Sequence, residues 1–176
     1  MQILEATIRV LRERGLSGLK VEDVARAAEV GKGTVYLYFR DKQDLLRALV
    51  EYRTLSFYRD AEALVKAAKP FRERLRDLLA RRLEFIDEWR GLWAAVAAEA
   101  VKEDKESWLK GLHERYQAIL EDFVERGIRD GELRADLEVR LVAATLAALG
   151  CAPQLDLPRE AFLDQLVEVW VKGVGA

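Results

Sequence analysis

The sequence predicts an all-α protein. Helical periodicity runs from end to end of the 176 residues, and no stretch alternates apolar and polar residues for long enough to make a strand. The interruptions are turn-forming segments such as "ERGLSG", "GIRDGE" and "APQLDLP". The expected architecture is about nine helices in two parts: an N-terminal three-helix domain over residues 1–46 and a helical body over 47–176, with a fourth helix from about residue 41 continuing from one into the other.

Each element has its own pattern. Ile3, Leu4, Ile8 and Leu11 share one face of a first helix, stopped by Gly15. Val21, Val24, Ala25 and Ala28, at i, i+3, i+4 and i+7, define a short second helix. A third runs from Gly33 to Phe39, and a long fourth from about Asp41 to Ala68. Pro70 opens a fifth, in which Phe71, Leu75, Leu78, Leu79, Ile86 and Trp89 fall on one face. Further helices are expected around 91–102, 106–129, 137–151 and 159–173.

Composition narrows the function classes. A hydrophobic content of 51% supports a sizeable core. With one Cys and one His, a disulfide framework, a cysteine-rich zinc site and any Cys–His nucleophile other than Cys151 with His113 are excluded. Cys151 reads as a small buried hydrophobe, and His113 as structural or exposed. A carboxylate-bridged metal site in a bundle needs Glu-x-x-His pairs, but Lys110 stands three residues before His113, so no metal, no cofactor and no enzymatic activity are expected. The longest nearly apolar run, "LVAATLAALGCA", stops at Pro153 and is too short to span a bilayer; the N-terminus carries charges where a signal peptide is apolar. The expectation is a cytoplasmic protein with no membrane association.

The net charge of −2 argues against a wholesale basic nucleic-acid binder. Its distribution is uneven: residues 1–50 carry nine Lys or Arg against seven acids, leaving the excess of acid to the remainder. That sign suits an N-terminal nucleic-acid module on an acidic body.

The segment "VEDVARAAEVGKGTVYLYFRDK", Val21 to Lys42, places two short helices across a tight turn, braced by the first helix. This is a helix-turn-helix, whose second helix can enter a DNA major groove. The alternative is an ordinary hairpin inside a core, and projecting the third helix at 100° per residue separates the two. Val35 and Phe39 fall together and face inward; Leu37 lies nearly opposite beside Gly33, with Thr34 and Tyr36 on the flanks. A core hairpin has no use for a hydroxyl-rich outer face with an exposed Leu. DNA does: glycine permits close approach, hydroxyls reach phosphates or base edges, and Leu37 can meet a thymine methyl. Lys32, at the head of this helix, joins them as a candidate contact. A phosphate-loop reading of "GKGT" fails, because the required upstream glycine position holds Arg26 within a helix.

The stretch "VEDVARAAEVGKGTVYLYFRDKQDLL", above all Thr34-Val35-Tyr36, Tyr38-Phe39, Lys42 and Leu45-Leu46, resembles the helix-turn-helix of the TetR family of bacterial transcriptional regulators. The likeness is strong over about the first fifty residues and extends over the rest in helix number and length only. It implies a homodimer that binds a palindromic double-stranded operator, most simply as a repressor, and is released by a small-molecule effector, with Thr34, Tyr36, Tyr38 and Lys42 at DNA-contact positions. Lys42 opens the fourth helix, where its ammonium and the positive helix end favour phosphate together. Three features depart from the family. Lys20 stands where a capping Thr is usual; it cannot cap, and is either a phosphate contact or a solvated surface lysine. Glu29 replaces the turn glycine, so either Glu29 accepts a left-handed conformation or Gly31 absorbs the change. Met1 lies almost at the first helix, leaving little basic arm for a minor groove.

The body suggests two further sites. In the last two helices apolar residues run almost all round, which requires burial on both sides. One side faces the protein's own core and the other a second copy, giving a four-helix interface with Leu141, Thr145, Ala148, Phe162, Leu166, Val169 and Trp170 as candidate interface residues. The middle helices carry Phe85, Trp89, Trp93, Trp108, Tyr116 and Phe123, which read either as core or as the walls of a pocket for a largely apolar or aromatic effector. A helical interaction module that keeps a helix-turn-helix without specific operator binding is the competing function; selection of a DNA sequence separates it from a regulator.

Overall fold

In a computed structural model of the chain, residues 2–88, 92–100, 105–149 and 158–175 are described. Within them the chain forms nine α-helices: α1 (Gln2–Arg14), α2 (Val21–Ala27), α3 (Lys32–Tyr38), α4 (Lys42–Val65), α5 (Phe71–Glu88), α6 (Leu92–Ala100), α7 (Lys105–Arg129), α8 (Val139–Leu149) and α9 (Arg159–Val174). The extended backbone pairing found among them is an isolated antiparallel bridge between Leu133 and Gly175. No helix of the described residues is long and apolar enough to cross a membrane. The chain divides into two compact units, Met1–Ser56 with Trp89–Leu109, and Phe57–Glu88 with Lys110–Ala176. α4 is continuous through residue 56.

In the first unit α1 buries Ala6, Ile8, Val10 and Leu11 along one face. It ends where the sequence places the break, at Gly15, whose φ of +68° suits a residue without Cβ and whose N–H reaches the Leu11 carbonyl at 2.9 Å. α2 is only seven residues long and leans on α1 for its ends. Gln2 Nε2 and Arg9 Nη2 donate to the carbonyls of Ala28 and Ala27 at 2.8 and 2.6 Å, covering acceptors that a short helix leaves open. Asp23, 9% exposed, pairs with Arg14 at 2.6 Å and Arg26 at 3.4 Å, and so ties the two helices by charge. The start of α4 is capped reciprocally: Asp41 Oδ1 accepts the Asp44 N–H at 2.8 Å, and Asp44 Oδ2 accepts the Arg40 N–H at 3.0 Å. The Arg40 backbone N–H, followed by the Arg40 side chain, holds the Asp44 carboxyl below its ordinary range. Beyond the cap, Leu45, Leu46, Leu49 and Val50 enter the core.

The turn between α2 and α3 resolves the choice between Glu29 and Gly31. Glu29 takes the left-handed conformation, at φ 54°, while Gly31 sits extended at φ −67°, ψ 147° as N-cap of α3. The bonds Glu29 N–H to Arg26 O at 3.1 Å and Val30 N–H to Ala25 O at 3.0 Å make this a Schellman ending, with Glu29 at the position where glycine is usual. Its side chain is exposed, so nothing in the fold requires it. Glu29→Gly is expected to stabilise the chain by about 0.5–1 kcal/mol, raising the thermal midpoint by roughly 1–4 °C; an unchanged or lower midpoint in calorimetry would contradict a strained turn.

The second unit is built on α5, which buries Phe71, Leu75, Leu78 and Leu79 as its periodicity predicts; Ile86 is only partly buried, Trp89 lies outside the described residues, and Phe85, not assigned to that face, is buried as well. Its first turn is capped from a distance. Past the end of α7, Gly131, φ +74°, turns the chain so that Glu132 Oε1 accepts the Phe71 N–H at 2.8 Å and Glu132 Oε2 takes Arg74 Nη2 at 2.8 Å. Arg74, 5% exposed, also donates to the last carbonyl of α4, Val65 O, at 3.1 Å. Between α5 and α9 the join is ionic: Arg72 meets Glu168 at 2.6 Å, Arg76 meets Asp164 at 3.0 Å and also Glu160, and Arg159 meets Asp87 at 3.2 Å. Under this surface Phe71 stacks on Phe123 at 4.5 Å and on Trp170 at 6.0 Å.

Candidate functional site

α3 is amphipathic in the unusual sense that its large apolar residues are outside. Val35, 1% exposed, anchors it, and Phe39 closes it in an extended conformation with its ring partly buried. On the outer surface stand Tyr36 at 46%, Leu37 at 83% and Tyr38 at 70% exposure, with Lys32 and Gly33 exposed and Thr34 partly so. A Cβ at Gly33 would meet no atom within 4 Å, so the chain's own fold does not account for a glycine there. Lys32 Nζ lies 5.8 Å from the Tyr36 ring centroid and pairs with Glu22. That hydrogen bond holds the Glu22 carboxyl below, and the Lys32 ammonium above, their ordinary values.

The remaining candidate cations belong to the same unit. Lys20 is exposed and forms the N-cap of α2 in extended conformation, without a side-chain capping bond, as a lysine must. Lys42, the first residue of α4, donates from Nζ to the Leu16 carbonyl at 3.1 Å. This bond pins the ammonium beside the α1–α2 connection and leaves its other two N–H groups for an outside acceptor. The sequence marks Lys42 as a candidate phosphate contact but gives no sign of this internal tether, since Leu16 and Lys42 are 26 positions apart.

In the second unit the predicted effector residues separate. Phe85 and Tyr116 come together around Phe57, with ring centroids 4.6 and 5.1 Å from it, and Tyr58 lies parallel to Tyr116 at 6.3 Å. Phe123 belongs instead to the cluster of Phe71 and Trp170. Trp89 and the side chains of Trp93 and Trp108 lie outside the described residues, as does Cys151; His113 is exposed on α7. Sequence reasoning missed Phe57 and Tyr58, although their burial repeats with Ala61 and Val65 at helical spacing along α4. Three arginines face these rings: Arg82 at 4.8 Å from the Tyr116 centroid, Arg81 at 5.7 Å from Phe57, and Arg115 at 5.3 Å from Tyr58. Burial pushes the Tyr58 and Tyr116 phenols up to about 12, against the opposing pull of the neighbouring guanidinium groups. Both hydroxyls therefore stay protonated at neutral pH, and Tyr58 donates to the Leu112 carbonyl.

α8 and α9 each bury one stripe and expose the other. Val142, Ala143, Leu146 and Ala147 are buried, while Leu141 at 63% exposure, Ala144, Thr145 and Ala148 are open; Leu163, Val167 and Trp170 are buried, while Phe162 and Leu166 are partly open and Val169 is 69% exposed. Trp170 thus faces its own core, where its indole N–H points at Thr145 Oγ1 at 3.4 Å and sets the two helices side by side.

Two family descriptions match this chain. "Bacterial regulatory proteins, tetR family" covers residues 3–49 and "Tetracyclin repressor-like, C-terminal domain" covers 68–152, about three-quarters of the chain between them. The fatty acid metabolism regulator protein of Bacillus subtilis strain 168 is 28% identical over 143 residues, 80% of this chain and 74% of that protein. The HTH-type transcriptional repressor KstR2 of Mycobacterium tuberculosis is 26% identical over 145 residues, 80% of this chain and 72% of that one. Among solved structures, the transcriptional regulator FadR from Bacillus subtilis in complex with stearoyl-CoA has the same fold, with a TM-score of 0.70 at 24% identity over 98% of each chain. The fatty acid degradation regulator FadR from Bacillus halodurans gives 0.71 at 22%, over 98% of this chain and 97% of that one.

Proposed function

The chain belongs to the TetR family of bacterial transcriptional regulators, and from that premise we propose that it is a homodimeric repressor whose hold on a palindromic operator is released by a fatty-acyl effector. The observation that carries the DNA half is the surface of α3. Tyr36, Leu37 and Tyr38 lie in solvent, Leu37 nearly opposite the anchoring Val35, beside a glycine that the fold leaves open. An isolated protein gains nothing from that exposure, whereas the major groove offers base edges, thymine methyls and flanking phosphates to such groups. Lys42 and Lys20 supply phosphate contacts that fix the register of α3 and carry little sequence information.

The open stripes of α8 and α9 support the homodimer: an apolar surface flanked by small residues on two adjacent helices suits a twofold four-helix contact. A twofold dimer presents two copies of α3, as a palindromic site requires. The fatty-acyl effector is supported by the two FadR likenesses, one titled with stearoyl-CoA, and by the aromatic cluster around Phe57. α4 carries Lys42 and also Phe57 and Tyr58. A ligand that binds more tightly to one setting of α4 shifts the dimer towards it, and release of DNA requires that this setting misplace the α3 helices.

Selection of bound fragments from the genome tests this reading. The expected product is a footprint with two symmetric half-sites centred about one helical turn, or a multiple of it, apart. A helical interaction module that merely retains the motif would enrich no sequence.

A further inference from the structure

The aromatic cluster of the second unit holds a cation for which the described residues provide no counter-ion. Of the arginines that face its rings, Arg81 is paired with Asp60 at 2.8 Å and Arg115 with Glu62 at 3.7 Å. Arg82, partly buried in the middle of α5, has no carboxylate within 4.0 Å among the described residues, and its Nε is buried without a hydrogen-bond partner. Its guanidinium lies 4.8 Å from the Tyr116 ring centroid and 5.7 Å from that of Phe57. The phenols of Tyr58 and Tyr116 stay protonated, so neither provides the missing negative charge.

Ring faces offset only part of what a guanidinium loses on leaving water. They also offer no strong acceptor to the edge of the group, where every N–H lies, and its Nε finds none among the described residues. That edge is a planar fork matched to the two oxygens of a carboxylate. We propose that Arg82 makes this cluster a carboxylate site: it binds the head of a hydrophobic free acid whose apolar body lies on Phe57, Phe85 and Tyr116. The proposal rests on the effector reading above and sharpens its chemistry. A thioester brings Arg82 one acceptor and no charge, a methyl ester the same, and the free acid both a second oxygen and the counter-ion. The protein then responds to the acid itself and not only to its activated form.

The test uses the full-length dimer and three probes that share one chain: palmitate, methyl palmitate and palmitoyl-CoA, with dissociation constants from calorimetry. The wild type is expected to bind palmitate about 30-fold more tightly than methyl palmitate, Arg82→Met to lose about 30-fold for palmitate and less than about threefold for the ester. Arg82→Lys, which keeps the charge but not the fork, is expected to fall between, and guards against misfolding of the methionine variant. Equal losses for acid and ester in Arg82→Met would mean that Arg82 only packs against the rings, and would overturn the proposal. So would a wild type that binds palmitoyl-CoA but not palmitate, an outcome that leaves the effector reading standing. If the wild type binds none of the three, the effector reading fails and this one with it.

Discussion

Tyr36→Ala is expected to lower affinity for the selected operator about 100-fold while changing binding to unrelated DNA by less than about threefold. The ring is 46% exposed, so its removal takes little from the fold; the loss in stability is expected to stay within about 0.5–1 kcal/mol, mostly from the Lys32 ammonium that faces it. The effect on DNA is large because the proposed dimer carries the substitution twice. Lys42→Ala is the contrasting case. Its ammonium is a point charge held by Leu16 O at 3.1 Å, suited to phosphate and blind to sequence. Operator and unrelated DNA should both weaken by a similar factor, and the slope of log affinity against log salt should fall by about 0.9 per subunit. Titrations at several salt concentrations separate the two behaviours. Wild-type operator affinity in both variants would remove α3 and Lys42 from the interface.

Leu141→Glu combined with Val169→Glu is expected to convert the dimer to a monomer of 20.1 kDa in sedimentation, with its helical content intact. Both side chains stand in solvent, at 63% and 69% exposure, so neither change disturbs the core beneath. At a twofold interface the variant brings four like charges into a desolvated surface, at a cost of several kcal/mol without a partner to neutralise them. Operator binding should fall by more than about 100-fold, because a single half-site loses the second α3. A variant that remains dimeric would place the contact elsewhere on the molecule.

The parts of this account that were legible in the sequence are those set by neighbours along the chain. Val24, Ala25, Ala28 and Val35 mark the helix-turn-helix by spacing alone, and the exposure of Leu37 follows from its position opposite Val35. The turn was only half legible. Placing α3 one residue later than it begins, at Gly33 instead of Lys32, leaves Gly31 free to take the unusual conformation; the actual N-cap position requires it extended, and the strain moves to Glu29. Helix ends shifted for similar reasons: α4 stops at Val65, where its last carbonyl meets Arg74.

What the sequence could not disclose are associations between distant helices. Periodicity groups Phe85, Tyr116 and Phe123 as core or pocket candidates but does not bring Phe57 or Arg82 to them, and it cannot tell that Phe123 stacks on Phe71 instead of joining them. Trp170 shows the limit of an all-round apolar helix. Either side of α9 could face inward, and the choice falls to the side whose large indole finds ring neighbours and the hydroxyl of Thr145.

The central claim is that one dimer couples DNA binding to an acyl ligand. Its most direct test is fluorescence anisotropy of a labelled operator fragment, bound by the full-length protein and titrated with stearoyl-CoA, with free coenzyme A as the control. The account predicts displacement by the acyl compound and none by coenzyme A at the same concentration. Anisotropy that stays unchanged through saturation with stearoyl-CoA, palmitoyl-CoA and palmitate would contradict it.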